Sequence, residues 1–317
     1  MPTDHHILSR RDAIRLGLGA GLAVALDPMR ALAQRPPQAL ALLTRVIPSS
    51  GEQLPVIGIG TARRYDVGTT NAEREPLREV LARFAEMGGR IVDTAPSYGT
   101  AETVVGDLVG ELGIRDRLFL ATKVGVRSGD RQAAIQQMEQ SMRRLRTERV
   151  DLMQIHNLGG VDALLPLLRE WKASGRIRYL GVTTGSDSQH GALEALMRRE
   201  TLDFIQVNYA IDSREAGARI LPLAAERGMG VLIALPFGRT SVFQSVQGKP
   251  LPAWAAEIDC ASWAQLFLKY IVSHPSVTAA IPGTAKLAYL TDNIAAARGR
   301  LPDAAMRTRI ERYFDAL

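Results

Sequence analysis

Eight short apolar runs, each followed by a stretch of helical period, most narrowly limit what this chain can fold into. They lie at Val56 to Ile59, Arg90 to Asp93, Leu118 to Lys123, Asp151 to Ile155, Tyr179 to Val182, Phe204 to Val207, Val231 to Leu235 and Thr278 to Ile281. Each has the length of a strand. Between them, groups such as Leu77, Val80, Leu81 and Phe84, or Ile135, Met138, Met142 and Leu145, recur at the spacing that lines one face of a helix. Gly88-Gly89, Gly175 and Gly228 stand where such helices should stop. Eight strand-helix units predict a (β/α)8 TIM barrel in the α/β class. An open, doubly wound sheet is the competitor, but its G-x-G-x-x-G fingerprint after a first strand is missing; Gly58-Ile59-Gly60-Thr61 is a strand end. Before the barrel, Leu42 to Ile47 and Leu54 to Ile59 bracket a Pro-Ser-Ser-Gly turn, which predicts an N-terminal β-hairpin. A C-terminal helix is expected over Asp303 to Phe314.

With 317 residues and 46% hydrophobic content, the chain can build one large core or two ordinary ones, and the uninterrupted repeat favours one. The formal charge of +6 is dispersed, without an extended block of Lys and Arg or interleaved aromatics, so nucleic acid is not an expected partner. Cys260 is the only cysteine, which rules out an internal disulfide. No histidine and carboxylate pair has metal-ligand spacing.

The first 33 residues differ in character. Ser9-Arg10-Arg11-Asp12-Ala13-Ile14-Arg15 precedes an apolar stretch, Leu16 to Leu26, and then the small-residue triplet Ala31-Leu32-Ala33. That order predicts a cleavable signal over 1–33 and a folded barrel over 34–317. The apolar stretch is too short to cross a hydrocarbon core of ~30 Å. The arginine pair resembles the twin-arginine motif, although Ala13 stands where phenylalanine is usual. Transient contact with the twin-arginine export machinery and a periplasmic or otherwise exported location are therefore expected, with a cytoplasmic location if these residues are not a signal. Doublets recur at Arg63-Arg64, Arg143-Arg144 and Arg198-Arg199, and only its position ahead of an apolar segment sets Arg10-Arg11 apart.

In a barrel of this kind, reacting groups belong at the C-terminal ends of the strands. Asp93, Lys123 and His156 fall there, in IVDTAPSYG, LFLATKVG and DLMQIHN, and Tyr98 follows on the loop after Asp93. A phenol of ordinary pKa ~10 is a weak acid at neutral pH, but a cationic lysine beside it favours the phenolate. Asp93 would keep Lys123 charged and oriented, while His156 would hydrogen-bond a substrate oxygen. Taken singly, each of these residues is ordinary. The set suggests carbonyl reduction.

The four residue types, in this order and these local patterns, resemble the aldo-keto reductase superfamily, and VDTAPSYG is the most diagnostic string. The likeness extends over nearly all of the chain after about residue 40, including FIQVNY at Phe204 to Tyr209 and IPGT at Ile281 to Thr284. It implies NAD(P)H-dependent reduction of an aldehyde or ketone, or the reverse oxidation, with Tyr98 as general acid and a small carbonyl compound as substrate. It also implies that Thr183, Thr184 and Gln206 surround the nicotinamide, with Thr184 replacing an asparagine. Leu235 stands where a stacking tyrosine is usual, leaving Pro236 or Phe237 to cover the ring; Arg239 would reach the pyrophosphate, and the segment from Phe237 to Cys260 would gate the cofactor. Gly283, Thr284, Lys286, Asp292 and Asn293 match the region for the adenosine and its phosphates. Tyr289 replaces the usual arginine for the 2′-phosphate, which leaves that role to Lys286 and favours NADP over NAD. Tyr65, Tyr98, Asn157 and Trp254 are expected to wall a substrate pocket left open by a short C-terminal segment. The substitutions at Thr184, Leu235 and Tyr289 also motivate a second reading, an exported barrel that carries nucleotide and has little turnover of its own.

Overall fold

Alternation along the inner faces of the strands explains both the core and the site above it. The computed structural model describes residues 41–126 and 128–317, so the expected signal over 1–33 lies outside the described residues. A hairpin of β1 (Thr44–Val46) and β2 (Gln53–Pro55) comes first. The parallel sheet then runs through β3 (Ile59–Gly60), β4 (Ile91–Asp93), β5 (Phe119–Val124), β6 (Val150–Ile155), β7 (Ile177–Thr183), β8 (Phe204–Asn208), β9 (Gly230–Ala234) and β10 (Ala279–Ala280). Each expected strand overlaps one of these. Parallel bridges from Ile57 to Ala280 and from Gly60 to Gly283 close the sheet on itself. Gly60 permits the closure: a Cβ there would lie 2.8 Å from the carbonyl oxygen of Ile281.

Helices cover the outside of the barrel: α1 (Asn71–Glu86), α2 (Ala101–Leu112), α3 (Arg131–Arg144), α4 (Val161–Ala173), α5 (His190–Arg199), α6 (Glu215–Glu226), the short α7 (Ser241–Ser245), α8 (Trp263–Val272), α9 (Leu287–Ala295) and α10 (Ala304–Asp315). In α1, Thr70 and Glu73 form a reciprocal capping box, and Leu77, Val80, Leu81 and Phe84 are all buried. Burying each of these large side chains contributes about 1.5–3 kcal/mol. The chain leaves α1, α4 and α6 through Gly88, Gly175 and Gly228, all at positive φ, where glycine avoids the cost a Cβ would bring.

Side chains on a strand alternate between faces. Ile91 and Asp93, then Phe119, Ala121 and Lys123, then Leu152 and Gln154, then Tyr179 and Thr183, then Phe204 and Gln206 therefore point into the barrel in turn. The earlier member of each series joins a closed apolar cluster with Ile47 and Leu54 of the hairpin. Phe119, Tyr179 and Phe204 pack ring on ring, with centroids 5.6–6.0 Å apart. The later member lies one layer higher, and that layer is polar: Asp93, Lys123, Gln154, Thr183 and Gln206, all buried.

Candidate active site

The polar layer is held together by one carboxylate. Asp93 accepts from Lys123 Nζ at 2.7 Å through one oxygen, and from Gln206 Nε2 at 3.0 Å and Gln154 Nε2 at 3.3 Å through the other. A second bond from Lys123 Nζ reaches the carbonyl of Thr94 at 2.9 Å. Burial by itself would depress the lysine, but the charge of Asp93 and the neighbouring phenol outweigh it and hold Lys123 above its ordinary value. It is a cation fixed beneath the site.

Tyr98 sits on the β4–α2 loop, half-buried, with Lys123 Nζ 5.1 Å from its ring centroid. His156, at the end of β6, meets the tyrosine edge-on at a centroid separation of 6.1 Å. Burial, with the charge of Lys123 adding to it, lowers the imidazole to about 4, so near neutrality it is uncharged and can donate one hydrogen bond. The structure thus brings together all four residues of the expected catalytic set.

Two adjoining cavities open over this layer. One, of about 400 Å³, runs from Asp93, Tyr98 and Gln206 past Leu235, Pro236 and Phe237 to Gly283. The other, of about 370 Å³, is bounded by Tyr98, His156, Asn157, Thr183 and Thr184. Thr183 Oγ1 accepts from the Asn157 amide at 3.0 Å, whereas Thr184 Oγ1 is buried without a hydrogen-bond partner among the described residues. Leu235 takes positive φ and faces both cavities. Phe237 packs against Phe243, 4.9 Å away, while remaining on the cavity wall. The segment from Phe237 to Cys260 is not without structure: it contains α7 and two 3-10 turns, Gly238–Thr240 and Ala253–Ile258.

Other residues singled out in the sequence lie elsewhere or are already engaged. Tyr65 is fully buried and does not wall a pocket. Trp254 packs on Tyr313 of α10 and on the Arg309 guanidinium. Thr284 accepts from Asn293 Nδ2 at 3.1 Å, which pins the loop after β10. Asp292 accepts from Ser262 Oγ at 2.8 Å and Gln265 Nε2 at 2.7 Å, which ties α9 to the start of α8. Lys286 stands at the N-cap position of α9 without a side-chain capping bond, and its ammonium lies over the exposed Tyr289 ring at 5.6 Å.

Three residues were missed. Gln154 is paired in register with Lys123 and belongs to the Asp93 network; the inward alternation of β6 was the available signal. Arg63 and Arg64, on the β3–α1 loop, line the first cavity together with Arg239. None of the three arginines has an ion pair or side-chain hydrogen bond among the described residues. In the sequence they were one doublet among several, and only the fold distinguishes them.

Residues 56–311 match the Aldo/keto reductase family. The chain belongs to that family. The reductase is 30% identical over 270 residues to methylglyoxal reductase YeaE of Escherichia coli (strain K12), an alignment covering 83% of this chain and 92% of that protein. Among solved structures it resembles an aldo/keto reductase from Klebsiella pneumoniae in complex with NADP and acetate, with TM-score 0.68 and 25% identity over 87% of this chain and 95% of that one. It also resembles an aldo-keto reductase from Klebsiella pneumoniae in complex with NADPH, with TM-score 0.69 and 26% identity over 86% and 95% of the two chains.

Proposed function

We propose that this oxidoreductase uses NADPH to reduce the carbonyl of a small aldehyde or ketone, and runs the reverse oxidation when alcohol and NADP are in excess, with Tyr98 as the proton donor. The observation that carries the reading is the buried Asp93–Lys123 pair directly beneath Tyr98, with uncharged His156 at its edge. The cavity suits a phosphorylated nucleotide: Arg64 and Arg239 offer uncommitted cations along it, and the adjoining cavity is lined by Gln206 and by Thr184, whose hydroxyl has no partner among the described residues. Gln206, Thr183 and Thr184 would hold the nicotinamide against the wall formed by Leu235, Pro236 and Phe237, and Gly283, Thr284, Asp292 and Asn293 would border the adenosine end. Lys286, exposed at the start of α9, is the cation proposed for a 2′-phosphate, hence NADP over NAD.

Bound NADPH supplies the hydride that reaches the carbonyl carbon. His156 donates a hydrogen bond to the carbonyl oxygen and orients it. As negative charge grows on that oxygen, the Tyr98 phenol gives it a proton, and the Lys123 cation stabilises the phenolate left behind. Asp93 keeps Lys123 charged and in place. The alcohol product has gained the hydride and one proton.

Loss of nicotinamide absorbance on mixing the chain, NADPH and a reactive aromatic aldehyde tests this, with NADH run in parallel. Oxidation of NADPH faster than NADH is expected. Nucleotide that binds but is not oxidised would favour the carrier reading. Export through the twin-arginine route is a further part of the proposal, supported by the order of Arg10-Arg11, the apolar stretch and Ala31-Leu32-Ala33. Replacing both arginines with lysine should keep the chain out of the exported fraction; unchanged export would remove that part.

A further inference from the structure

We propose that Arg63 selects substrates carrying an anionic group, a carboxylate or a phosphate, at the end remote from the reacting carbonyl; the inference rests on the carbonyl-reduction reading above. Of the three unpaired arginines, Arg63 and Arg239 border both cavities. Arg64 borders only the one that leads to Gly283, and its side chain lies alongside that glycine. Arg63 also borders the second cavity, with Asp66, Tyr98, His156, Asn157 and Thr184. A carbonyl oxygen placed between Tyr98 and His156 leaves the rest of its molecule in that space.

The local backbone holds Arg63 there. Its φ is +60°, a region unfavourable for a residue with a Cβ and kept where the surroundings impose it. On one side, Thr61 is tied to the Asp93 carbonyl through both its amide and its hydroxyl, each at 3.0 Å. On the other, Tyr65 is wholly buried. Asp66 then accepts from the amide of Thr100 at 3.0 Å, and the Thr100 hydroxyl donates to the Val67 carbonyl at 2.8 Å. Thr100 is two residues beyond Tyr98. The turn that presents Arg63 is therefore anchored to the loop that presents the proton donor, which sets where the Arg63 backbone stands relative to the reacting centre. Around this cavity Arg63 and Arg239 face one carboxylate, Asp66, so the rim keeps an excess positive charge. A guanidinium matches the planar oxygens of a carboxylate or phosphate.

The test compares 4-carboxybenzaldehyde with its methyl ester, which has the same ring and carbonyl but no charge, in wild type, Arg63→Leu and Arg63→Lys, with NADPH saturating. Wild type should prefer the acid in kcat/KM by roughly 10- to 100-fold, as the loss of one charge-assisted bond implies. Arg63→Leu should abolish that preference through KM for the acid while leaving the ester and the KM for NADPH unchanged, and Arg63→Lys should restore part of it. A benzaldehyde carrying a phosphate in place of the carboxylate separates the two anions. Equal use of acid and ester by wild type overturns the inference, as does a preference that survives in Arg63→Leu. A rise in the KM for NADPH alone would assign Arg63 to the nucleotide and also overturn it. Reduction of neither aldehyde would instead remove the carbonyl-reduction reading.

Discussion

The two ends of the barrel handle charge in opposite ways. At the N-terminal end, beneath the hairpin, most charged groups are mutually satisfied, with the buried Arg45 Nε an exception: Glu52 accepts from Arg90 at 2.8 Å, from the Tyr179 hydroxyl at 2.9 Å and from Arg178. Asp151 accepts from Arg115, Arg178 and the Leu120 amide. At the C-terminal end, Arg63, Arg64 and Arg239 have no such partners among the described residues, and the hydroxyls of Thr94 and Thr184 and the Gln154 Oε1 are buried without one. Backbone strain is also concentrated there, with Arg63, Asn157, Leu158, Leu235, Arg239 and Thr240 at positive φ. Buried polar groups are normally satisfied, so an end where several are not is arranged for something that binds. The floor holds the fold together; the mouth is set for a ligand.

The largest expected effect falls where the two demands meet. Lys123→Met leaves the buried Asp93 carboxylate uncompensated and should cost about 3–5 kcal/mol in urea unfolding, besides removing turnover. A variant of wild-type stability would mean that the pair does not organise the mouth. Next, Arg64→Ala and Arg239→Ala should each weaken NADPH binding about tenfold in a fluorescence titration, while stability stays within about 0.5 kcal/mol. Destabilisation without a change in affinity would put these arginines with the floor.

Glu52→Gln is the mirror experiment. It should cost on the order of 1–2 kcal/mol of stability and leave kcat and KM unchanged. Burial raises this carboxyl, but the bonds from Tyr179, Arg90 and Arg178 outweigh burial and set it below its ordinary value. Its contribution is therefore complete above the ordinary carboxylate range and lost as pH falls through the lowered value, so the variant should show a shallower acid-side loss of stability. An equal slope in both proteins would exclude Glu52 as a source.

A last effect, read in the pH dependence, concerns His156. Burial, and then the Lys123 charge, take it to about 4 in the folded protein, against 6.5 ordinarily. The unfolded chain binds a proton first as pH falls, so the stability from the neutral ring is present above 6.5 and is lost on descending through 4. In the kcat/KM profile the acid limb should lie near 4. A limb near 6.5 would mean that His156 is solvated or does not touch the substrate.

These regions were not equally legible in the sequence. Strand alternation and the glycine stops are local signals, and the barrel could be read from them. Asp93, Tyr98, Lys123 and His156 were legible because strand ends and barrel geometry share one register. Gln154 was not, since a polar residue at the end of an apolar run has no evident role until β5 and β6 are paired. The arginines at the mouth were hidden for a different reason: whether Arg63 has a partner depends on what the turn between Thr61 and Tyr65 faces, and the composition of that turn does not say. Tyr65 and Trp254 were misplaced because an aromatic near a loop can serve the core as readily as a pocket.

The most direct test of the central claim is a single turnover of bound NADPH with an aromatic aldehyde in wild type and in Tyr98→Phe, with the nucleotide Kd measured for both. Equal affinities and a chemical step slowed by about 10²–10⁴-fold in the variant are expected. A Tyr98→Phe protein that binds NADPH equally well and oxidises it at the wild-type rate would contradict the account.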